Sequence, residues 1–174
     1  SLSATEVLQN LRERQFSAHE LMQATLARIA ALNPNANAIV SLGDPQRLLD
    51  AALAADRAPK KGELHGLPFA VKDLVDVVGY PTSHGSLLFA GSQPTVDEPM
   101  VAQLRAAGAI FIGKTNTPEF GLGSHTFNPV FGATKNPYDG ALSAGGSSGG
   151  AAVALALRMV ALADGSDMMG SLRN

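Results

Sequence analysis

The chain has 174 residues, 16% of them charged, and a net charge of -2 at pH 7. This length is typical of one domain with a substantial core. So small a net charge gives no basic surface for nucleic acid or for an anionic membrane. Because the chain has no cysteine, disulfides, thiolate metal sites and a cysteine nucleophile are excluded. Ser, Thr, Lys, His and carboxylates remain for covalent chemistry.

Targeting signals are not visible in the sequence. No apolar run approaches the roughly 18 residues that span a bilayer. The N-terminal residues also lack the basic-then-apolar pattern of a signal peptide. We therefore expect a soluble, cytoplasmic protein without a membrane partner.

Helices dominate the prediction for the first 60 residues. Apolar residues at helical spacing predict helices over residues 5–14, 17–32 and 45–56. Ser17 and Glu20 form a capping-box pattern at the start of the second helix, and Pro45 suits the first turn of the third. Residues 33–40 (NPNANAIV) are expected to leave the second helix and enter a short strand.

Short buried strands and helices are predicted next. Residues 67–71 are all apolar or Pro and predict a buried strand that ends on Lys72 and Asp73. Residues 99–107 predict a helix and residues 109–112 a second buried strand. This alternation is typical of an α/β architecture.

A polar segment and a small-residue helix complete the chain. Residues 113–150 are rich in Gly, Pro, Asn, Ser and Thr, and a polar stretch of that length inside a domain is usually functional. Residues 151–160 predict an alanine-rich helix. Its small side chains would let other backbone approach its start closely.

One motif in the sequence is misleading. Residues 108–115 formally match the phosphate-binding pattern G-x-x-x-x-G-K-T. In such a loop the four variable residues expose their N–H groups to phosphate, whereas here they are the apolar residues 109–112. We therefore interpret the segment as a strand and a turn, without nucleotide binding.

Two serine-bearing turns flank the alanine-rich helix. Residues 145–150 read GGSSGG, which is typical of a flexible turn or of an anion-binding loop at a helix start. Residues 165–171 read GSDMMGS, and the helix between them can bring the two turns side by side. The loop alone does not decide between these interpretations.

Lysine is the candidate base for a serine at either turn. Lys72 follows an apolar strand, and burial favours the neutral amine that can accept a proton. The four histidines lie in unrelated contexts without ligand spacing: His19, His65, His84 and His125. Their positions disfavour a metal site and a Ser-His-Asp triad. We expect neither a metal nor a cofactor.

Together these stretches resemble the amidase signature family. That family has a GGSSGG loop, a helix of small residues and a Gly-Ser/Thr-Asp turn ending in Gly-Ser-Ile/Leu-Arg; this chain has GGSSGG and then GSDMMGSLR. The similarity extends to LHGLPFAVKD around Lys72, to GAIFIGKTNTPEF and to SAHELMQATLARIAALNPNANA. It thus covers nearly the whole chain. The resemblance implies an α/β fold with a mixed β-sheet core flanked by helices.

The resemblance also implies roles for individual residues. Lys72 matches the catalytic lysine, Ser147 the serine that follows a cis peptide bond, and Ser171 the acylated nucleophile. Ser147 and Ser171 are 24 residues apart, as the family pattern requires. The expected oxyanion hole consists of backbone N–H groups of Met168, Met169, Gly170 and Ser171. Expected supporting residues are Gly146, Ser148, Asp167 and Arg173.

These roles describe the hydrolysis of an amide through an acyl-enzyme. Ser171 loses its proton through Ser147 to neutral Lys72 as it attacks the carbonyl carbon, and the proton later reaches the departing amine. Loss of one oxyanion-hole donor typically costs about 3–4 kcal/mol of barrier. Water then repeats the attack on the acyl-enzyme.

Two features depart from the family pattern. The family turn commonly has Thr-Gly where this chain has Met168 and Met169, so we expect a bulkier, more apolar wall. Family members are also more than twice as long. We therefore expect an N-terminal portion of a single domain, with a helical segment over about residues 1–60 and the catalytic α/β core from about residue 61. A molecule ending at Asn174 would have an incomplete core, exposed apolar surface and little activity.

The leading hypothesis is an amidase that acts on a small-molecule amide. An alternative within the family is the glutaminase subunit of a tRNA-dependent amidotransferase, which needs a partner subunit; the two methionines argue mildly against it. A truncated, inactive module that binds a partner is the alternative from another class. A homodimer is possible from the sequence, and no nucleic-acid partner is expected.

Overall fold

Helices form most of the first third of the chain, and short strands follow. The computed structural model describes residues 2–173. Its α-helices are α1 (Ala4–Glu13), α2 (Ala18–Ala36), α3 (Pro45–Arg57), α4 (Pro99–Ala106) and α5 (Gly149–Ala156). Its strands are β1 (Ile39–Leu42), β2 (Pro68–Lys72), β3 (Ile110–Thr115), β4 (Phe127–Asn128) and β5 (Gly132–Ala133). A 3₁₀ turn covers Glu119–Gly121.

Local capping explains where α2 and α3 begin. The Ser17 hydroxyl accepts the N–H of Glu20 at 3.0 Å, and the Glu20 carboxylate accepts the N–H of Ser17 at 2.8 Å. The predicted capping box is therefore confirmed. Asp44 accepts the N–H of Arg47 at 2.9 Å, and Pro45 occupies the first turn of α3.

The predicted end of α2 was wrong. The helix continues past residue 32 to Ala36 with Pro34 inside it. The side chain of Asn33 accepts the N–H groups of Ala38 and Ile39, each at 2.9 Å, and so satisfies the backbone just beyond the helix. Asn37 then adopts a left-handed conformation, which ends the helix.

Helix α5 also differs from the prediction, since it begins and ends earlier than residues 151–160. Gly149 and Gly150 of the glycine loop form its first turn. A Cβ atom on Gly149 would collide with Thr126, and one on Gly150 would collide with backbone of Asn116. The glycines therefore let the start of α5 pack directly against neighbouring backbone.

The central sheet has three strands in the order β1-β3-β2. Strand β3 is antiparallel to β1 and parallel to β2, so the sheet is mixed, as expected. Phe69 pairs with Phe111, but Ala70 pairs with Gly113, which leaves Ile112 as the extra residue of a β-bulge. On the free edge of β2, Ala70 forms a parallel bridge with residue 163.

Apolar side chains cover both faces of this sheet. On one face α2, α3 and α5 pack over Ala70 and Ile112. On the other face Phe69 and Phe111 meet edge to face with ring centroids 5.9 Å apart, and Val101 of α4 joins them. The fold therefore buries β2 completely.

The surface keeps several large apolar side chains. The most exposed of them are Leu88, Val96, Leu122, Tyr138, Met168 and Met169. Within residues 2–173, none of the helices combines the length and the apolar character that a membrane crossing requires.

Candidate active site

Lys72, the last residue of β2, has a fully buried side chain. Alternation along the strand turns it to the same face as Ala70, towards α5. Its Nζ lies 2.8 Å from Ser147 Oγ, 2.9 Å from Ser148 Oγ and 3.0 Å from Ser166 Oγ. Among the described residues, these hydroxyl groups are its hydrogen-bond partners, and it forms an ion pair with no carboxylate.

The surroundings of Lys72 favour the neutral amine. Burial lowers the pKa of the Lys72 ammonium to about 8, against the opposing effects of the negative charges of Asp164 and Asp167. A lysine with a pKa near 8 is partly neutral at physiological pH. It can therefore accept a proton, which an ordinary surface lysine rarely does.

The GGSSGG loop lies directly over this amine. The N–H of Gly146 donates to Ser124 O at 2.8 Å, and Gly145 pairs with His125. The peptide bond between Gly146 and Ser147 is cis. These contacts hold the side chains of Ser147 and Ser148 against Lys72. The family resemblance predicted this contact for Ser147 and gave Ser148 only a supporting role.

Ser171 meets the loop from the opposite side. Its Oγ lies 2.8 Å from Ser148 Oγ and 3.4 Å from Ser147 Oγ, and it accepts the N–H of Ser148 at 2.8 Å. The structure thus brings Lys72, Ser147 and Ser171 together, and their catalytic roles stay a prediction. The contact between Ser171 and Ser148 is nevertheless shorter than the contact with Ser147.

The two loop serines differ in how many partners their hydroxyl groups have. A hydroxyl has one proton to donate and two lone pairs. Ser148 Oγ contacts Lys72, Ser171 and both the N–H and the carbonyl of Ser166, the last two at 3.2 and 3.1 Å. Its capacity is therefore fully used. Ser147 Oγ contacts only Lys72 and Ser171 among the described side chains, so its proton lies on the path between them.

Asp167 organises the turn that carries Ser171. Its carboxylate accepts the N–H of Gly170 at 2.6 Å and that of Leu172 at 3.2 Å. The guanidinium of Arg173 donates to both carboxylate oxygens, at 2.8 and 2.9 Å. Arg173 and the Gly170 N–H hold the pKa of Asp167 well below its usual range. Asp167 thus binds backbone of the turn, and Arg173 is joined to the turn through this carboxylate.

The four expected oxyanion-hole donors are not equivalent. The N–H of Gly170 already donates to Asp167. Within residues 2–173, the N–H groups of Met168, Met169 and Ser171 have no hydrogen-bond acceptor. The side chains of Met168 and Met169 are 79% and 90% exposed, so they project into solvent.

Two residues near Lys72 were missed in the sequence. Ser166, which contacts Lys72 and Ser148, lies within the quoted GSD turn, so its position near the loop could have been anticipated from the family motif. Asp164, whose carboxylate accepts the backbone N–H of Lys72, gives no local signal. Its position depends on the pairing of residue 163 with Ala70, which are distant in sequence.

The rings of three histidines contact residues other than Lys72, Ser147 and Ser171. The His65 ring lies 2.9 Å from Ala55 O, His84 packs edge to face on Phe89, and His125 Nδ1 lies 3.3 Å from Ser143 Oγ. Within residues 2–173, no cluster of three or more His, Asp or Glu side chains could hold a metal ion.

Two serines linked to a buried lysine at the end of a mixed sheet are typical of one class of hydrolase, and comparisons with known proteins agree. The family model named Amidase matches residues 20–174. The chain belongs to this family, the amidase signature enzymes.

Individual relatives resemble almost the entire chain. An acylamidase of Rhodococcus erythropolis is 43% identical over 99% of the chain, and a glutamyl-tRNA(Gln) amidotransferase subunit of Salinispora arenicola is 44% identical over 99%. The crystal structure of a bacterial aryl acylamidase of the same family superposes on 99% of the chain with a TM-score of 0.90 and 31% identity. The chain spans 37%, 36% and 36% of these three proteins, respectively.

Proposed function

We propose that this chain carries the acylation centre of an amidohydrolase, which converts a small-molecule carboxamide to a carboxylic acid and ammonia or an amine. The main support is the contact of a fully buried Lys72 with Ser147 at 2.8 Å, since Ser147 in turn lies 3.4 Å from Ser171. This path joins a base to a nucleophile through one hydroxyl group. Relatives named acylamidase and aryl acylamidase support the same chemistry.

The reaction follows from these contacts. Ser171 Oγ forms a bond to the amide carbonyl carbon while its proton passes to Ser147, whose own proton passes to Lys72. The C–N bond then breaks, and the proton returns by the same route to the leaving nitrogen. Water attacks the resulting ester and releases the acid. The N–H groups of Met168, Met169 and Ser171, for which residues 2–173 offer no acceptor, are the donors proposed for the carbonyl oxygen.

A cavity beside Ser171 is the proposed place for part of the substrate. Its volume is about 210 Å³, and Tyr138, Ala152, Val153 and Ala156 are among its lining residues. The lining has no charged side chain, and its size favours a small, uncharged group. A larger cavity of about 310 Å³ between α1 and α3 is lined by neither Lys72 nor Ser171.

Reaction of the chain with a fluorophosphonate tests the nucleophile. We expect a single covalent adduct, which peptide mass spectrometry locates at Ser171, because among residues 2–173 only this hydroxyl is both proposed to be activated and next to N–H groups without an acceptor. The Ser171→Ala variant should form no adduct. A folded chain that stays unlabelled, or that is labelled equally in Ser171→Ala, would contradict the proposal.

Replacing each loop serine separately tests which one carries the proton. Ser147→Ala should slow labelling of Ser171 by about 10²-fold or more, since general-base catalysis is worth roughly 10²–10⁴-fold. Ser148→Ala should chiefly lower thermal stability, because it removes the contacts with Ser166, and should slow labelling less. Equal rates for wild type and Ser147→Ala, with a large loss in Ser148→Ala, would assign the relay to Ser148 instead.

The glutaminase subunit of a tRNA-dependent amidotransferase is the second candidate. The relative from Salinispora arenicola, which carries the name of an amidotransferase component, is as similar to this chain as the acylamidase. Ammonia release from glutamine, with no hydrolysis of aliphatic or aromatic amides, would favour this function over the amidase.

A further inference from the structure

Asp164 connects the strand of the base to the segment of the nucleophile. The backbone N–H of Lys72 donates to Asp164 Oδ1, and the N–H of Asp164 donates to Ala70 O at 3.3 Å. Residue 163 pairs in parallel with Ala70. Residues 163–164 therefore extend the sheet along the free edge of β2.

Ser166 and the turn that carries Ser171 follow this attachment directly in the sequence. Ser166 contacts both Lys72 Nζ, at 3.0 Å, and Ser148 Oγ. The turn held by Asp167 begins at the next residue and carries Ser171. The Asp164 carboxylate thus joins the segment that leads into the turn to the strand that carries the amine, although it contacts neither the Lys72 amine nor Ser171 through a hydrogen bond.

The charges around Lys72 single out Asp164. On the other face of the sheet, the carboxylate of Asp73 lies 3.7 Å from Lys114 Nζ. Asp167 forms a bidentate ion pair with Arg173, so its negative charge is largely compensated. Asp164 has no ion-pair partner within residues 2–173. Burial raises the pKa of Asp164, whereas the Lys72 N–H and the charges of Lys72 and Lys114 lower it.

We propose that Asp164 is a positioning residue that fixes the nucleophile-bearing turn on β2 and, through its negative charge, controls the protonation of Lys72. The inference rests on the proposed role of Lys72 as the base. A carboxylate near the amine favours the ammonium form. Asp164 thereby sets the lower pH limit of a reaction that requires the neutral amine.

Titration of Lys72 by NMR tests the electrostatic part without any turnover. The side-chain ¹⁵N signal of Lys72 is assigned by its loss in Lys72→Met. In Asp164→Asn, which keeps an oxygen acceptor for the Lys72 N–H, the midpoint should fall by about one pH unit. Asp164→Glu, which keeps the charge, should restore most of the wild-type midpoint. Asp50→Asn, an equal charge change on the exposed side of α3, should leave it unchanged.

Labelling separates this inference from the proposed function. If the wild-type chain reacts with the fluorophosphonate, the acid limb of its rate–pH profile should move to lower pH in Asp164→Asn by the same amount as the midpoint. An unchanged Lys72 midpoint in folded Asp164→Asn overturns the inference even when Ser171 is labelled. Should that variant not fold, the wild-type Asp164 carboxyl ¹³C signal decides: an inflection at the Lys72 midpoint supports the inference, and its absence overturns it.

Discussion

Lys72→Met is expected to slow acylation of Ser171 by about a thousandfold, the middle of the range for general-base catalysis. Methionine is similar in length, unbranched and apolar, so it fills the buried space without leaving an unpaired charge. The fold should therefore persist while the base is lost. The rate constant of fluorophosphonate labelling, followed by intact mass, measures the effect, and circular dichroism checks the fold.

The pH dependence of the labelling rate is a second test of Lys72 as the base. With a pKa of about 8, Lys72 is mainly an ammonium below pH 8 and mainly a neutral amine above it. Only the amine accepts a proton, so the wild-type rate should rise with pH through about pH 8. Lys61→Met, a change at an exposed lysine, should keep this profile. A folded Lys72→Met chain with a near-normal rate and the same rise would show that another group is the base.

Lys114→Met is expected to lower the free energy of unfolding by about 3–5 kcal/mol, the cost of leaving one partner of a buried ion pair unpaired. Both side chains are buried: Lys114 is 0% and Asp73 1% exposed. Lys114 also donates to the carbonyl of Val75 and, at 3.0 Å, to the hydroxyl of Thr82. Urea unfolding monitored by circular dichroism gives the free energy.

The double variant Asp73→Asn with Lys114→Met isolates the charge. Asparagine removes the buried negative charge but still accepts the N–H of Ser83, which now donates to Asp73 Oδ1 at 3.1 Å. The double variant should recover a large part of the stability lost in Lys114→Met. A double variant no more stable than the single one would attribute the loss to the hydrogen bonds with Val75 and Thr82.

Much of the fold follows from short-range patterns. The run of apolar residues before Lys72 predicted β2, and the Ser17 capping box predicted the start of α2, because both signals lie within a few residues of what they specify. The end of α2 was not predictable in this way. It depends on Asn33, whose side chain accepts the N–H groups of residues 38 and 39. No sequence pattern around Pro34 predicts that contact.

The same distinction, between features marked by a sequence pattern and features that are not, applies to the candidate site. Lys72, Ser147 and Ser171 are each marked by a motif, and the resemblance supplied their order. The competition between Ser147 and Ser148 for Ser171 was not visible, since both hydroxyls lie in one loop and only their other partners distinguish them. Asp164 required knowledge of a pairing between residues far apart in sequence.

The bulge at Ile112 determines how the two buried lysines share one small sheet. In an unbroken register, Lys72 would lie directly beside Lys114 on one face of the sheet. The positive charge of each would then disfavour the protonated form of the other. The extra residue instead pairs Lys114 with Val71 and sends the two lysines to opposite faces. The two faces of the sheet thereby hold lysines in different surroundings: Lys72 contacts hydroxyl groups on one face, and Lys114 forms an ion pair with Asp73 on the other. The single inserted residue, Ile112, thus separates the proposed catalytic lysine, Lys72, from the structural lysine, Lys114.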